Sequence, residues 1–144
     1  MMQRRIIIAA ALIRDGDGRL LLVRKRGTFA FMQAGGKIEP GETPLEALVR
    51  ELEEELAYRP TRTEAEFLGV FSAEAANEPG HLLEAHLFRI EGEAAEFTPR
   101  AELDEAIWIW PDAAEELHLA PFTREHVLPI ARLMPPRGNA NLDP

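Results

Sequence analysis

The stretch GKIEPGETPLEALVRELEEELAY, residues 36–58, contains the clearest helix start in the 144-residue chain and, near its end, four glutamates within five positions. Thr43 is a good N-cap, and Pro44 suits the first helical position, where a missing N–H costs nothing. Glu46 stands three residues after Thr43 and completes a capping box. A helix is therefore predicted from Thr43 to about Ala57, ending before Pro60. Leu45, Leu48, Val49, Leu52 and Leu56 lie along one arc of it, a stripe suited to packing on a sheet, while Glu46, Arg50 and Glu53 point outward. At ~100° per residue, Glu51, Glu54 and Glu55 converge on a face bordering that stripe.

Carboxylates crowded at the rim of a core repel one another, and the repulsion grows as the dielectric falls. A solvated acidic surface is one reading of such a run. The other is a site for a hard cation such as Mg²⁺ or Mn²⁺, which takes oxygen ligands and would cancel the repulsion. The preceding loop favours the cation. Gly35-Gly36 lets backbone approach closely and offer a carbonyl, and Glu42 adds a carboxylate near the helix N-terminus, where negative charge is favoured.

Outward from this segment, residues 5–13 and 19–24 are apolar runs separated by Asp15-Gly16-Asp17-Gly18, which predicts a β-hairpin. Residues 66–72, 82–90 and 106–110 read as strands, 77–80 as a turn, and 123–134 as a terminal helix after a short helical piece opened by Pro111. The fold class expected is α/β: a mixed sheet with the mid-chain helix and a C-terminal helix packed on it, residues 1–134 forming a single domain and 135–144 a flexible tail.

Composition narrows the function. The net charge of −9 lacks the basic footprint of a nucleic-acid or membrane platform. Absence of cysteine excludes disulfides, thiolate metal sites and cysteine nucleophiles, and agrees with a cytoplasmic setting. The N-terminal basic-then-apolar run is interrupted early by Arg14 and Asp15, so a strand is expected there, not a leader.

Taken as one unit, residues 36–58 resemble the Nudix box, whose pattern is G-x5-E-x7-R-E-U-x-E-E-x-G-U with U a bulky aliphatic residue. Gly36, Glu42, Arg50, Glu51, Leu52, Glu54 and Glu55 match at the required spacing. Ala57 stands where the pattern has glycine and Tyr58 where it has an aliphatic residue; Ala57 is expected to turn left-handed less easily and so to alter the helix exit. The resemblance implies the Nudix αβα sandwich and a hydrolase that cuts the pyrophosphate bond of a nucleoside diphosphate derivative or nucleoside triphosphate with Mg²⁺ or Mn²⁺. The alternatives it leaves are an 8-oxo-dGTP-type sanitiser of the nucleotide pool and an inactive nucleotide-binding module.

By the same resemblance Glu51, Glu54 and Glu55 would be metal ligands, together with the Gly35 carbonyl. Glu51 is preferred for activating water, Glu42 and Arg50 would form supporting pairs, and Glu102 would be a further metal or base carboxylate. Arg24, Lys25 and Lys37 lie near the box and are candidates to grip phosphate oxygens. The partner implied is a small nucleotide-type molecule, and homodimers are common in the family. The proline and tyrosine that mark two substrate subfamilies after the box do not appear around residues 73–76, and the zone Phe122-Thr123-Arg124-Glu125-His126 lacks the asparagine used for 8-oxo-guanine.

Overall fold

The structure, a computed structural model, describes residues 4–61 and 64–135; the tail expected at 135–144 lies outside it from residue 136 onward. Strand β1 (Arg4–Arg14) runs through the middle of a six-stranded mixed sheet. One edge of β1 pairs in parallel with β5 (His81–Glu91) along its whole length, from Arg4↔His81 to Arg14↔Glu91. Its other edge is shared. Beyond the single pair Arg14↔Leu20 with β2 (Leu20–Lys25), it pairs antiparallel with β3 (Ala34–Lys37), from Ala11↔Ala34 to Ile8↔Lys37. The expected hairpin thus splays after its turn, and β2 instead pairs along β6 (Leu103–Ile109). β4 (Glu66–Glu74) is the outer partner of β5. The hairpin turn is fastened by the buried Asp15 carboxylate, which accepts the N–H groups of Asp17, Gly18 and Arg19 at 2.8–3.0 Å.

Alternation along β1 divides the core into two layers. Ala9, Ala11 and Ile13 face helix α1 (Pro44–Leu56) and pack with Leu48, Leu52 and Leu56; Ala10 and Leu12 face the opposite side and pack with Val127, Leu128 and Ala131. This is the αβα sandwich. Leu48, Leu52 and Leu56 are each fully buried, which contributes on the order of 1.5–3 kcal/mol apiece. Leu45 and Val49, placed on the packing stripe by spacing, are only half-buried, and Ala47 is buried instead.

α1 begins as its sequence dictates: Glu46 N–H donates to Thr43 Oγ1 at 3.1 Å, and Thr43 N–H donates to Glu46 Oε1 at 2.8 Å. Its exit corrects one expectation. Ala57 does take the left-handed conformation, φ 54° and ψ 32°, and its N–H donates to Glu53 O at 3.1 Å. Tyr58 is buried where the pattern has an aliphatic side chain; its ring stacks on Phe97 at 4.4 Å and its hydroxyl donates to Glu64 Oε2 at 2.9 Å.

The other layer carries α2 (Pro111–Ala114) and α3 (Leu128–Leu133). The single terminal helix expected over 123–134 is interrupted: Thr123–Val127 forms a π turn, closed by Leu128 N–H to Thr123 O. Pro129 explains it, because it has no N–H for the carbonyl of Glu125 and its ring would crowd that group.

Candidate active site

The C-terminal half of α1 lies against β3, and two glycines allow the contact. At Gly35, φ 143°, a Cβ would fall 2.1 Å from Ala9 O; at Gly36 it would fall 2.5 Å from Glu51 Cδ. Side chains are excluded there by strand pairing in the first case and by a carboxylate in the second.

Glu55 is only 2% exposed, and its Oε1 accepts the Gly35 N–H at 3.0 Å. Burial pushes its carboxyl up to about 7, opposed by the Gly35 N–H and the charge of Lys25, and assisted by repulsion from Glu51 and Glu102. Glu51 is half-buried, and burial raises its carboxyl too, against the Arg50 guanidinium whose Nη1 donates to Glu51 Oε1 at 2.7 Å. Glu54, by contrast, is exposed. The three acids share a helix face yet differ in solvation, and among the described residues no three acidic or histidine side chains converge closely enough to grip an ion as they stand.

Arg50, expected to point outward, folds back over the loop before the helix. Its Nε and Nη2 each donate to one oxygen of Glu42 at 2.8 Å, and Nη2 reaches Lys37 O at 3.0 Å. This fork, helped by the Glu39 N–H on Glu42 Oε1 at 2.9 Å, holds the Glu42 carboxyl down at about 2. Lys37–Glu42 is thereby pinned to the helix.

Lys25 reaches the acidic group, with Nζ 3.5 Å from Glu102 Oε1 and its charge felt by Glu51 and Glu55. Glu102 is therefore near the pair although it is 63% exposed. Arg24 is not brought to this group. Its guanidinium donates to Glu105 Oε1, Asp104 Oδ2 and Thr28 O, clamping β2 to β6, because neighbouring strand residues project to opposite sides. Lys37 is exposed and pairs with Glu78 at 3.6 Å.

Beside Gly35 and Gly36 opens a cleft of about 150 Å³, walled by Ile8, Met32, Gln33, Lys37 and Phe122. Gln33 and Thr123, which sequence reasoning missed, are both buried. Gln33 Nε2 donates to Ala11 O at 3.1 Å and its Oε1 accepts from Thr123 Oγ1 at 3.1 Å. A polar residue inside the apolar run Phe31-Met32-Gln33-Ala34 was the available signal. Phe122 lines the cleft, whereas Phe29 is 82% exposed and does not wall it. A larger groove of about 680 Å³ lies on the outer side of α1, over Leu45 and Val49, but of the candidate acids it touches Glu54 alone.

The NUDIX domain pattern matches residues 4–130. The CTP pyrophosphohydrolase of Escherichia coli (strain K12) is 33% identical over 124 residues, which cover 81% of this chain and 85% of that protein. The 8-oxo-dGTP diphosphatase of Haemophilus influenzae is 43% identical over 60 residues, 38% of this chain and 44% of that one. Among solved structures, the MutT NUDIX hydrolase from Burkholderia pseudomallei superposes with a TM-score of 0.67 at 25% identity, over 90% of this chain and 96% of its own.

Proposed function

The chain belongs to the NUDIX family of pyrophosphohydrolases, and on that premise we propose that it is a divalent-metal-dependent hydrolase of nucleoside triphosphates or nucleoside diphosphate derivatives, cutting at the pyrophosphate linkage. The observation that carries this is the placement of Glu51 and Glu55, two desolvated carboxylates that repel each other, against Gly36 and Gly35, the glycines that also line the cleft. Burying carboxylates together without a compensating charge is unfavourable, and NUDIX enzymes generally use divalent ions. The donor set fits such an ion in kind: it is all oxygen, from Glu51, Glu54, Glu55 and the Gly35 carbonyl, as Mg²⁺ or Mn²⁺ requires. Glu51 and Glu54 would turn inward to complete it.

A bound ion of this type screens the phosphate charge and makes water a better nucleophile. The chain's own residues do the rest. Glu51 takes the proton of the attacking water as oxygen bonds to phosphorus and the pyrophosphate oxygen leaves. Glu102 is the second candidate for that proton, and Lys25 and Lys37 hold phosphate oxygens once Glu102 and Glu78 release them. Arg50 keeps Glu51 and the Lys37–Glu42 loop in register. Phe122 and Met32 wall the space left for the base, with Gln33 and Asn77 among its polar residues.

CTP is the first substrate proposed, on the name of the Escherichia coli relative, and 8-oxo-dGTP the second, on the shorter likeness. The setting proposed is the cytoplasm; among the described residues no helix is long and apolar enough to cross a membrane. A homodimer, common in the family, is checked by light scattering. The deciding assay gives purified protein Mg²⁺ with CTP, 8-oxo-dGTP and sugar-linked nucleoside diphosphates, with Glu54→Gln and Glu55→Gln alongside. Turnover in the wild type and loss in both variants is expected. Nucleotide binding without turnover anywhere refutes hydrolysis, and full activity in both variants refutes the ligand set.

A further inference from the structure

The last four carbonyls of a helix lack intrahelical partners. In α1 those of Glu54, Glu55 and Leu56 are met by one short segment that precedes β6, which also adds a second donor to Glu53 O beside the Ala57 N–H. Thr98 N–H donates to Leu56 O at 2.8 Å, and Arg100 N–H donates to Glu55 O at 2.9 Å. The Arg100 guanidinium covers the other two: Nε lies 3.2 Å from both Glu53 O and Glu54 O, and Nη2 also donates to Glu53 O.

The chain then passes through Ala101, a non-glycine residue at φ 59°, into Glu102. Left-handed backbone at such a residue persists only where its surroundings over-determine it. Here two anchors do so. Arg100 is fastened to the end of α1, and Glu102 O accepts the Arg26 N–H at 2.8 Å while its carboxylate faces Lys25. One guanidinium therefore stands between the helix turn carrying Glu54 and Glu55 and the turn carrying Glu102.

We propose that Arg100 is a positioning residue: by forking onto the Glu53 and Glu54 carbonyls it holds the last turn of α1 in register with the Glu102 turn, so that carboxylates from both address the same phosphate group. The proposal rests on the hydrolytic reading above. Arg100 is exposed, and the main-chain bonds from Thr98 and from Arg100 itself survive removal of its side chain, so the fold does not depend on the guanidinium. The geometry does, because lysine is a single point donor and cannot span two carbonyls as a planar fork can.

The test compares wild type, Arg100→Ala and Arg100→Lys as full chains, measuring thermal midpoint, kcat and KM on the fastest nucleotide of the panel, and Mn²⁺ affinity by electron paramagnetic resonance without nucleotide. Arg100→Ala should keep its midpoint and KM, lose kcat on the order of tenfold, and bind Mn²⁺ more weakly by a similar factor. Arg100→Lys should recover only part of either loss. Wild-type kcat and Mn²⁺ affinity in Arg100→Ala overturn the proposal, as does full recovery by lysine, which would reduce the role to charge at a helix end. Should Arg100→Ala not fold, Arg100→Lys carries the same readouts. A wild type that hydrolyses nothing refutes the hydrolytic reading, and the Mn²⁺ comparison still decides the role of Arg100.

Discussion

The carboxylate of Glu51 fills the space in which a side chain on Gly36 would begin: a Cβ there would lie 2.5 Å from Glu51 Cδ and 2.6 Å from its Oε1. What stands in the way is the far end of a flexible side chain, and Gly36 needs no left-handed backbone. Gly36→Ala is therefore expected to fold, with a thermal midpoint near wild type, while displacing Glu51 and lowering kcat on the order of a hundredfold. Gly35→Ala is the contrast. Its Cβ would meet the Ala9 carbonyl at 2.1 Å, at φ 143°, so it should lose stability first. Denaturant titration beside an activity assay separates the two.

Glu55 makes the metal-free protein less stable as pH rises. Its folded carboxyl sits at about 7, above the ordinary 4.5, so the folded state binds the extra proton. The contribution is fully present below about pH 4.5 and is lost as pH passes through 7, a change of up to about 3 kcal/mol. In EDTA, the thermal midpoint should fall between pH 5 and pH 8. Mg²⁺ should reverse the fall, and Glu55→Gln should remove this component of the slope. A flat EDTA profile in wild type contradicts the burial argument.

Ala57 holds a left-handed conformation that costs an alanine roughly 1 kcal/mol relative to glycine. Ala57→Gly is expected to raise the thermal midpoint by about 2–4 °C with kcat unchanged, since the exit geometry is already the one glycine would adopt. Calorimetry reads it directly; a lowered midpoint would mean the cap is not strained.

Gln33 is fixed at both ends of its amide, by Ala11 O and by Thr123 Oγ1. Gln33→Leu leaves a buried hydroxyl and carbonyl short of a partner, at a cost of about 1–3 kcal/mol. If the amide also meets the base, KM should rise more for one nucleobase than for another. An equal rise for CTP and 8-oxo-dGTP would confine Gln33 to a packing role.

The start of α1, its amphipathic stripe and the shared helix face of Glu51, Glu54 and Glu55 were legible in the chain because they depend on neighbours within one or two turns, where helical period and capping chemistry decide the outcome. So were the other strands, read as local apolar runs, but not β3, whose Gly35-Gly36 segment was read as a loop. Three further things were not. That β3, not β2, occupies the long edge of β1 depends on which segment best fits against Ala9 and Ala10, a contact between positions far apart in the chain. The ranking of three equal-looking glutamates into buried Glu55, half-buried Glu51 and exposed Glu54 depends on the packing of α1 over Gly35 and Gly36, since desolvation is a property of surroundings. The assignment of Lys25 to the acids and of Arg24 to Asp104 and Glu105 follows from which face of β2 each occupies. Local spacing determined the residue types and their order; burial and long-range pairing, which exist only once the sheet has closed under the helix, decided which of them share an environment.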